Sequence, residues 1–405
     1  MHASHHNWID GAARPAASGE THAVHAGGSR DPIGTWPRSD VADLRAAIDA
    51  AEGGAHALRA LGPEGRRALL SDAIDALLDE PDPGGLALRA IGLEEHEADV
   101  HVEPLEWTLD DVLDRRARPL ADQPGGARAG PLLYACDWTE MWLQPARMVL
   151  AALLEGRSVI VMSDAHAPML ADALARALGD LPAGALAVLH DDGRTVLRAA
   201  AGEARIGSIH LASTSPAAPE LVERALGTRP WPVESGFGAG VDRAGVPALA
   251  VRRLANTSFV VRSEGDLEEQ ARALVARSFS RAGALSGARP GRAGRALCPV
   301  RSFSSFSEHV LDALETEPDV RSPLALVRTQ HVAEVERAFR LGHDEGATAI
   351  STGPEESELG FPLVFTNVEE RMRLAHLERP APILCLMRAR DAVHARALAE
   401  ELDAS

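Results

Sequence analysis

Short apolar strands alternate with helices through the middle of the chain, and this alternation limits the fold more than any other feature. Parallel strands must be joined by a crossover, and a helix of about ten residues is the usual one. The pattern therefore predicts βαβ units and a doubly wound parallel sheet of the nucleotide-binding type. No Gly-x-Gly-x-x-Gly follows these strands, so the usual dinucleotide fingerprint is absent. The predicted strands are 158–162, 186–190 and 208–211, and the predicted helices are 141–155, 168–178, 194–201 and 219–226.

A second α/β pattern begins near residue 265 and continues to the end of the chain. A length of 405 residues accommodates about two or three domains. We expect a Rossmann-like, nucleotide-binding-type domain with an N-terminal extension at 1–262 and a catalytic-type α/β domain at 263–405. Ser39-Asp40 is predicted as the N-cap of the first helix of the extension. The other predicted strands are 7–11, 21–25, 296–300, 348–351, 363–366 and 383–387, and the other predicted helices are 63–78, 267–280, 306–314, 331–342 and 391–402.

The net charge of the chain limits the classes of molecule that it is expected to bind. The net charge of −18 disfavours nucleic acid and anionic membrane, because binding phosphate groups requires a basic face. All 41 basic residues are arginine, so Schiff-base chemistry through lysine is excluded. No apolar run approaches the ~20 residues of a spanning helix. No secretory signal pattern opens the sequence either, and we expect a cytoplasmic protein.

The cysteines and the N-terminal histidines point to no metal site. The three cysteines are too far apart for a disulfide framework or a thiolate zinc cluster. The two that lie in apolar strands are expected in the core. Three histidines near the N-terminus could bind a metal, but a frayed terminus is the favoured interpretation. The residues concerned are Cys136, Cys298, Cys385, His2, His5 and His6.

The order of several motifs resembles the aldehyde dehydrogenase superfamily. Residues 152–161 are similar to its Ala-Leu-x-x-Gly-Asn-x-Val-Val segment, and residues 234–236 stand where the family has Glu-Leu-Gly-Gly. Residues 378–383 resemble its Glu-x-Phe-Gly-Pro-Val motif. The resemblance implies an aldehyde dehydrogenase-like α/β fold over almost the whole chain. Further similar segments are 8–11, 40–51, 346–347 and 361–364.

This resemblance implies NAD(P)-dependent oxidation of an aldehyde to an acid or acyl product. In the family a cysteine thiolate attacks the carbonyl, while backbone and asparagine donors hold the oxyanion. Hydride passes to the nicotinamide, and a glutamate activates the hydrolytic water. The nucleophile must ionise near neutral pH, and the growing oxyanion needs donors that are already in place.

The resemblance also assigns individual roles. It places the catalytic base on Glu234 and the ribose-binding glutamate on Glu378. Trp138 matches the aromatic residue of the Pro-Trp-Asn motif, and Ser213 matches the serine of the Phe-Thr-Gly-Ser turn. Thr139 replaces the oxyanion asparagine, and its shorter hydroxyl is a poorer oxyanion ligand. Ordinary structural roles stay open for Glu234, Glu378 and Trp138.

Several positions depart from the family pattern. The nucleophile falls on Ser286 when aligned from the preceding helix and within 287–290 when aligned from the following strand, so neither register gives cysteine. The ribose-binding lysine falls on Met162, and the glycine beside the pyrophosphate falls on Ala212. The chain ends soon after Ile383, which predicts a shortened catalytic domain whose uncovered sheet edge could aggregate.

These losses favour a catalytically impaired member of the family that acts as a non-catalytic partner or regulatory subunit. The alternatives are a divergent active NAD(P)-dependent oxidoreductase with a rebuilt site and a nucleotide- or acyl-binding module. Cys136 stays a minor candidate for a replacement nucleophile. The expected cofactor is NAD or NADP, weakly bound, without a metal. The expected partners are a small aldehyde or acyl ligand and either another protein or further copies of the chain.

Overall fold

The computed structural model divides the chain into two compact units, Met1–Arg253 and Leu254–Ser405. Strand pairing explains the boundary, because Thr257–Val260 pairs with Ala293–Pro299 of the second unit. That strand lies within the domain predicted to end at 262. The structure describes residues 3–25, 32–78, 91–94, 97, 112–113, 130–140, 143–190, 195–213, 248–253, 256–262, 265–289, 291–321, 324, 332–350, 362–377 and 381–404.

Ten strands and five helices are described in the first unit. Its strands are β1 (Ala3–Ser4), β2 (Asn7–Ile9), β3 (Ala12–Arg14), β4 (Thr21–His25), β5 (Pro32–Pro37), β6 (Leu132–Ala135), β7 (Val159–Ser163), β8 (Leu186–His190), β9 (Ser208–Ser213) and β10 (Ala248–Arg253). Its helices are α1 (Val41–Ala60), α2 (Gly62–Leu78), α3 (Leu143–Leu154), α4 (Met169–Ala177) and α5 (Thr195–Ala201).

The large sheet of this unit has the order β10-β9-β6-β7-β8-β2-β3. Strands β6 to β10 run parallel, and β2 joins β8 in the antiparallel sense. The chain moves from β6 through β7 to β8 and then crosses to β9 on the other side of β6. The strand order therefore reverses between β6 and β9, which confirms the predicted doubly wound sheet. A separate sheet has the order β1-β5-β4.

Helix α1 shows how local sequence defines these elements. The Asp40 side chain accepts hydrogen bonds from the amides of Ala42 and Asp43, and the Asp43 side chain accepts one from the Asp40 amide. This reciprocal capping box satisfies amides that have no partner inside the helix and confirms the predicted cap. Leu44 and Ile48, one turn apart, pack into the core beneath the sheet.

In the second unit, five strands and five helices are described. The sheet order is β11-β12-β15-β14-β13, with β13 alone antiparallel to its neighbour. Alternate residues of β15 face opposite sides of the sheet, so Cys385 and Met387 join one core cluster and Leu384 and Leu386 the other. The elements are β11 (Thr257–Val260), β12 (Ala293–Pro299), β13 (Thr348–Ala349), β14 (Leu363–Val368), β15 (Ile383–Ala389), α6 (Leu267–Phe279), α7 (Phe303–Thr316), α8 (Pro318–Arg321), α9 (Val332–Glu345) and α10 (Ala392–Ala404).

Six of the described strands were not predicted from the sequence: β1, β3, β5, β6, β10 and β11. β6 contains only four residues, and β10 is made of alanine, leucine, valine and arginine, a composition with weak strand preference. Pairing of both strands with β9 supplies the hydrogen bonds that their composition does not signal. The predicted helix at 219–226 lies outside the described residues. Among the helices that are described, none is long and apolar enough to cross a membrane.

Candidate functional site

The first unit gathers polar side chains where β6 and β7 end. A 3-10 turn, Trp138–Glu140, follows β6, and Ser213 is the last residue of β9. The parallel register pairs Ala135 with Leu211, so the ends of β6 and β9 lie side by side. In open α/β sheets, ligands bind outside the carboxyl ends of the strands where the order reverses. The structure thus brings three predicted residues, Trp138, Thr139 and Ser213, to this edge.

Thr139 is tied to a neighbouring carboxylate. Its hydroxyl donates a hydrogen bond of 2.5 Å to Asp137 Oδ1, and its amide donates one of 3.0 Å to the same oxygen. The residue is 1 % exposed. In this arrangement the hydroxyl proton of Thr139 points to a carboxylate, so the group does not present a free donor to an oxyanion.

Asp164 links the turn after β6 to the loop after β7. Its Oδ2 accepts a 3.2 Å hydrogen bond from the Trp138 amide, and its Oδ1 lies 2.8 Å from His166 Nδ1. Trp138 itself is buried. Burial alone would lower the pKa of His166, but the hydrogen bond to Asp164 and the charges of Asp164 and Asp137 raise it above its ordinary value. His166 is therefore more readily protonated than an ordinary histidine.

Cys136 directly follows β6, and its thiol is held in the neutral form. Burial raises the pKa of this thiol well above its ordinary value, and the negative charges of Glu140, Asp164 and Asp137 raise it further. Since the thiolate is the nucleophile, such surroundings suppress reactivity at neutral pH. Reactive cysteines have the opposite, electropositive surroundings.

The described part of this edge fits a dinucleotide poorly. Met162 stands where the resemblance places a ribose-binding lysine, but it is 2 % exposed and packs in the core beneath the sheet. The carboxylates of Asp137, Glu140 and Asp164 lie at the same edge, and Glu140 accepts a 2.7 Å hydrogen bond from the Tyr134 hydroxyl. A pyrophosphate is anionic, so this concentration of carboxylates opposes its binding.

A buried polar network beside this edge was not anticipated. Ser163 Oγ lies 2.8 Å from His190 Nδ1, and His190 Nε2 lies 3.1 Å from Asp172 Oδ1. His5 Nδ1 lies 2.8 Å from Asp172 Oδ2. The expectation of a frayed terminus is therefore wrong for His5, because its ring also stacks on Trp36 with centroids 3.9 Å apart.

One part of this network could have been found from the sequence. Ser163 and His190 end neighbouring parallel strands, and the register pairs them directly. The ends of the strands predicted at 158–162 and 186–190 already implied that these side chains lie close together. The contacts of His5 and Asp172 have no such local signal.

Ser286 lies in the second unit, in a tight turn after α6. The 3-10 turn Leu285–Gly287 has positive φ angles of 47° at Leu285, 51° at Ser286 and 90° at Gly287. Only glycine adopts this left-handed region without strain, so two non-glycine residues there store strain. A Cβ on Gly287 would lie 2.7 Å from the Pro382 Cα, which requires glycine at this position.

The hydroxyl of Ser286 is already used as a hydrogen-bond acceptor. Its Oγ accepts a 2.9 Å hydrogen bond from the Leu324 amide, and its own amide donates a 2.9 Å bond to the Ser280 carbonyl. The residue is 2 % exposed. The polar atoms of Ser286 thus hold the turn together and fix the chain at Leu324.

The remaining cysteines are structural. Cys298 lies in β12 and Cys385 in β15, and both are buried as predicted. Burial raises the pKa of each thiol to about 12. For Cys385, the nearby charges of Arg295 and Arg292 act in the opposite direction but do not offset burial. Neither thiol is suited to nucleophilic attack at neutral pH.

Two predicted site residues cannot be placed. Glu234 lies within 214–247 and Glu378 within 378–380, both outside the described residues. Their predicted roles as catalytic base and ribose ligand stay predictions.

Comparison with known proteins identifies the family. A profile described as the aldehyde dehydrogenase family matches residues 130–404, more than half of the chain. The chain is 25% identical to a vanillin dehydrogenase of Corynebacterium glutamicum over 154 residues, 36% of this chain and 31% of that protein. It is 32% identical to a 5-carboxymethyl-2-hydroxymuconate semialdehyde dehydrogenase of Escherichia coli over 111 residues, 25% of this chain and 24% of that protein. The matched regions thus span less than a third of these relatives.

Solved structures show the same fold over most of the chain. A cysteine-to-alanine mutant of aldehyde dehydrogenase C from Pseudomonas syringae, in complex with NAD+ and octanal, is 19% identical, with a TM-score of 0.80 over 98% of this chain and 84% of that one. An NAD-dependent benzaldehyde dehydrogenase from Corynebacterium glutamicum is also 19% identical, with a TM-score of 0.77 over 97% and 85%. These likenesses confirm the predicted aldehyde dehydrogenase-like α/β fold. The doubly wound sheet, the matched profile and these neighbours agree, and the chain belongs to the aldehyde dehydrogenase family.

Proposed function

We propose that this protein has lost the thiol-dependent aldehyde oxidation of its family and acts as a non-catalytic partner or regulatory subunit. The observation that carries the proposal is the state of Ser286. It lies in a strained, buried turn, and its oxygen accepts a hydrogen bond from the Leu324 amide. The resemblance, aligned from the preceding helix, gives the nucleophile's position to this residue. The matched regions cover only part of the curated relatives, so the activity of the whole protein is assigned here as a proposal.

The chemistry of serine supports this assignment. A hydroxyl is almost never ionised at neutral pH, so a nucleophilic serine needs an adjacent base that removes its proton. The amide of Leu324 is a donor and cannot accept that proton. Thr139, the counterpart of the oxyanion asparagine, donates its hydroxyl proton to Asp137. Both the attacking group and one oxyanion donor are therefore impaired.

The three cysteines do not replace the missing thiolate in this proposal. Burial raises the pKa of Cys298 and Cys385 to about 12. The pKa of Cys136 is raised by burial and by three neighbouring carboxylates. At neutral pH all three groups are thiols, and the thiol form attacks carbonyl carbon poorly.

Weakened NAD or NADP binding is part of the proposal. When bound, the dinucleotide supplies the hydride acceptor in this family. Buried Met162 cannot contact a ribose as a lysine would, and the carboxylates of Asp137, Glu140 and Asp164 oppose a pyrophosphate. Trp138, Ser213 and Glu378 are the residues that the resemblance assigns to the cofactor.

The proposal extends to location and partners. We propose a cytoplasmic protein that binds another protein or further copies of itself and that retains a pocket for a small aldehyde or acyl group. Nucleic acid and membrane are disfavoured as partners by the net charge of −18.

Steady-state assays test the lost activity. The purified chain is incubated with NAD or NADP and with octanal or benzaldehyde, and nicotinamide reduction is followed by absorbance. We expect rates equal to those of a Ser286→Ala, Cys136→Ala double variant, since neither residue acts as a nucleophile. Turnover that the double variant lacks would overturn the proposal.

The second candidate is a divergent oxidoreductase, and the doubly wound sheet shared with NAD-dependent relatives favours it. It requires cofactor binding, which isothermal titration calorimetry with NAD and NADP measures directly. Absence of heat with either dinucleotide excludes this candidate. Binding without turnover instead identifies a nucleotide-binding module, the third alternative.

A further inference from the structure

We propose that residues 3–5 form a strap, which holds helix α4 closed over a small internal cavity lined by Cys136 and Ser163. The inference concerns a conformational device of the first unit, and it does not depend on the function proposed above. It rests on a carboxylate in α4 that receives contacts from three distant parts of the chain.

Asp172 is the point where the strap is attached. One oxygen of its carboxylate lies 2.8 Å from His5 Nδ1 and accepts a 2.8 Å hydrogen bond from Trp36 Nε1. The other oxygen lies 3.1 Å from His190 Nε2. Burial alone would raise the pKa of Asp172, but the contacts from His190, His5 and Trp36 hold it well below its ordinary value. The carboxylate therefore stays charged and attracts all three side chains.

The strap itself is seated on strand β5. Ala3 and Ser4 pair with Gly34 and Thr35, and the His5 amide donates a 2.9 Å hydrogen bond to the Thr35 carbonyl. The imidazole of His5 lies parallel to the ring of Trp36, with an interplanar angle of 11°. Backbone pairing and ring stacking thus fix the position from which His5 reaches Asp172.

Helix α4 depends on such contacts for its position. It has nine residues, and its N-cap, Pro168, provides no side-chain hydrogen bond. A helix this short is unstable in water unless tertiary contacts hold it. The three contacts to Asp172 supply polar support for the helix, and its apolar face supplies further support.

The apolar face of α4 covers the cavity. Residues of this helix form one wall, and the turn after β6 and the end of β7 form the others. The cavity has a volume of about 10 Å³, room for about one water molecule. Its lining residues are Cys136, Asp137, Trp138, Pro145, Ser163, Asp164, Ala167, Leu170, Ala171 and Leu174.

The carboxylate of Asp172 is also connected, through His190, to Ser163 in the cavity wall. His190 contacts Asp172 through Nε2 and Ser163 through Nδ1, so the strap, the helix and the serine belong to one network. The residue types are those of acyl-transfer triads, but the two imidazole nitrogens are exchanged, because here Nδ1 faces the serine and Nε2 the aspartate. A cavity that holds one water leaves no room for an acyl group, so the closed state is not catalytic. Release of the strap is the motion that would enlarge this space.

Thiol labelling tests the strap. The full chain is treated with iodoacetamide, and the labelling rates of the three cysteines are measured by peptide mass spectrometry. Loss of a hydrogen bond to a charged group favours opening by about tenfold or more. Cys136 is partly exposed with the strap in place, so the wild type labels at a measurable rate, whereas Cys298 and Cys385 are buried. We expect His5→Ala to raise the rate of Cys136 about tenfold over the wild type, with Cys298 and Cys385 unchanged. His5→Gln, which keeps a donor for Asp172, should restore most of the protection.

The adjacent histidine provides a matched control. His6 is exposed and has no described contact with Asp172, so His6→Ala should label like the wild type. Equal labelling of Cys136 in the wild type and in His5→Ala overturns the proposal. A parallel rise at all three cysteines also overturns it, because that pattern indicates general unfolding and not a local opening.

Discussion

The amide of Leu324 donates a 2.9 Å hydrogen bond to the hydroxyl oxygen of Ser286, which lies 38 residues earlier in the chain. Both residues are buried, so neither group can exchange this bond for one with water. At one of the two positions that the resemblance aligns with the family's nucleophile, this chain has a side chain with a structural role.

Replacing Ser286 with alanine should destabilise the protein without changing its background activity. The substitution leaves the buried Leu324 amide without its acceptor, which costs about 1–3 kcal/mol. Urea denaturation measures the free energy of unfolding. Ser307→Ala is the control, because the Ser307 hydroxyl donates to a carbonyl of its own helix and removing it leaves no buried amide without a partner. Equal stability of Ser286→Ala and the wild type would contradict the structural role.

Gly287→Ala should be more harmful than the same change at Gly291. Both glycines have positive φ angles, 90° and 76°, so both substitutions carry backbone strain of about 1 kcal/mol. Only at Gly287 would the new Cβ approach the Pro382 backbone to 2.7 Å, whereas at Gly291 it meets nothing within 4 Å. We expect a difference of about 1–3 kcal/mol in the free energy of unfolding. Equal losses would show that the turn has room at Gly287.

Asp172→Asn should strongly destabilise the first unit. Breaking a buried charged contact by removing one partner costs about 3–5 kcal/mol. Asp49→Asn is the matched control, because Asp49 is exposed beside Arg205 and exposed ion pairs contribute about 0–1 kcal/mol. Comparable losses in the two variants, measured by urea denaturation, would refute the importance of the Asp172 contacts.

Acid should weaken the wild type through the same group. The folded pKa of Asp172 lies below its ordinary value of 3.8, so its stabilisation is fully present above that pH. The stabilisation is lost as the pH falls below 3.8 towards the folded pKa. The stability difference between the wild type and Asp172→Asn should therefore shrink on acidification below about pH 4. A difference that stays constant to pH 2 would argue against an ionised Asp172 in the folded protein.

His166 should titrate above the ordinary histidine value of 6.5 because Asp164 and Asp137 stabilise its cation against the effect of burial. Its stabilising contribution is therefore present at low pH and is lost as the pH rises through the folded pKa. Asp164→Asn removes the hydrogen-bonding charge and should lower the pKa of His166, as followed by NMR titration of the imidazole. Glu203→Gln, a loss of charge outside this loop, should leave it unchanged. A His166 pKa that is the same in Asp164→Asn and the wild type would contradict this assignment.

Much of the fold could be predicted because it depends on local patterns. The strands at 158–162 and 186–190 are continuous apolar runs, which is the signature of buried parallel strands. Asp40 marks the start of α1, because its side chain can accept hydrogen bonds from the first amides of the helix. β10 could not be predicted in this way, since its arginines and alanines acquire strand structure only by pairing with β9.

The candidate site was predictable only in part. Ser286, Trp138 and Thr139 came from a resemblance between motifs, and the structure places Trp138 and Thr139 together at the end of β6. That Thr139 donates to Asp137 and that Ser286 accepts from Leu324 could not be read from the motifs. Hydrogen-bond partners are chosen by side-chain geometry, and motif spacing does not encode that geometry.

Residue types and their spacing are enough to predict the alternation of strands and helices and the apolar positions of the core, and position 286 is serine and not cysteine. These features follow from residue type and periodicity, which act over a few neighbours along the chain. The convergence of His5, Trp36 and His190 on Asp172 is a property of the folded chain alone. Their sequence separations are too large for any local pattern, and it is the packing of α4 against the sheet that brings their polar atoms within hydrogen-bond distance.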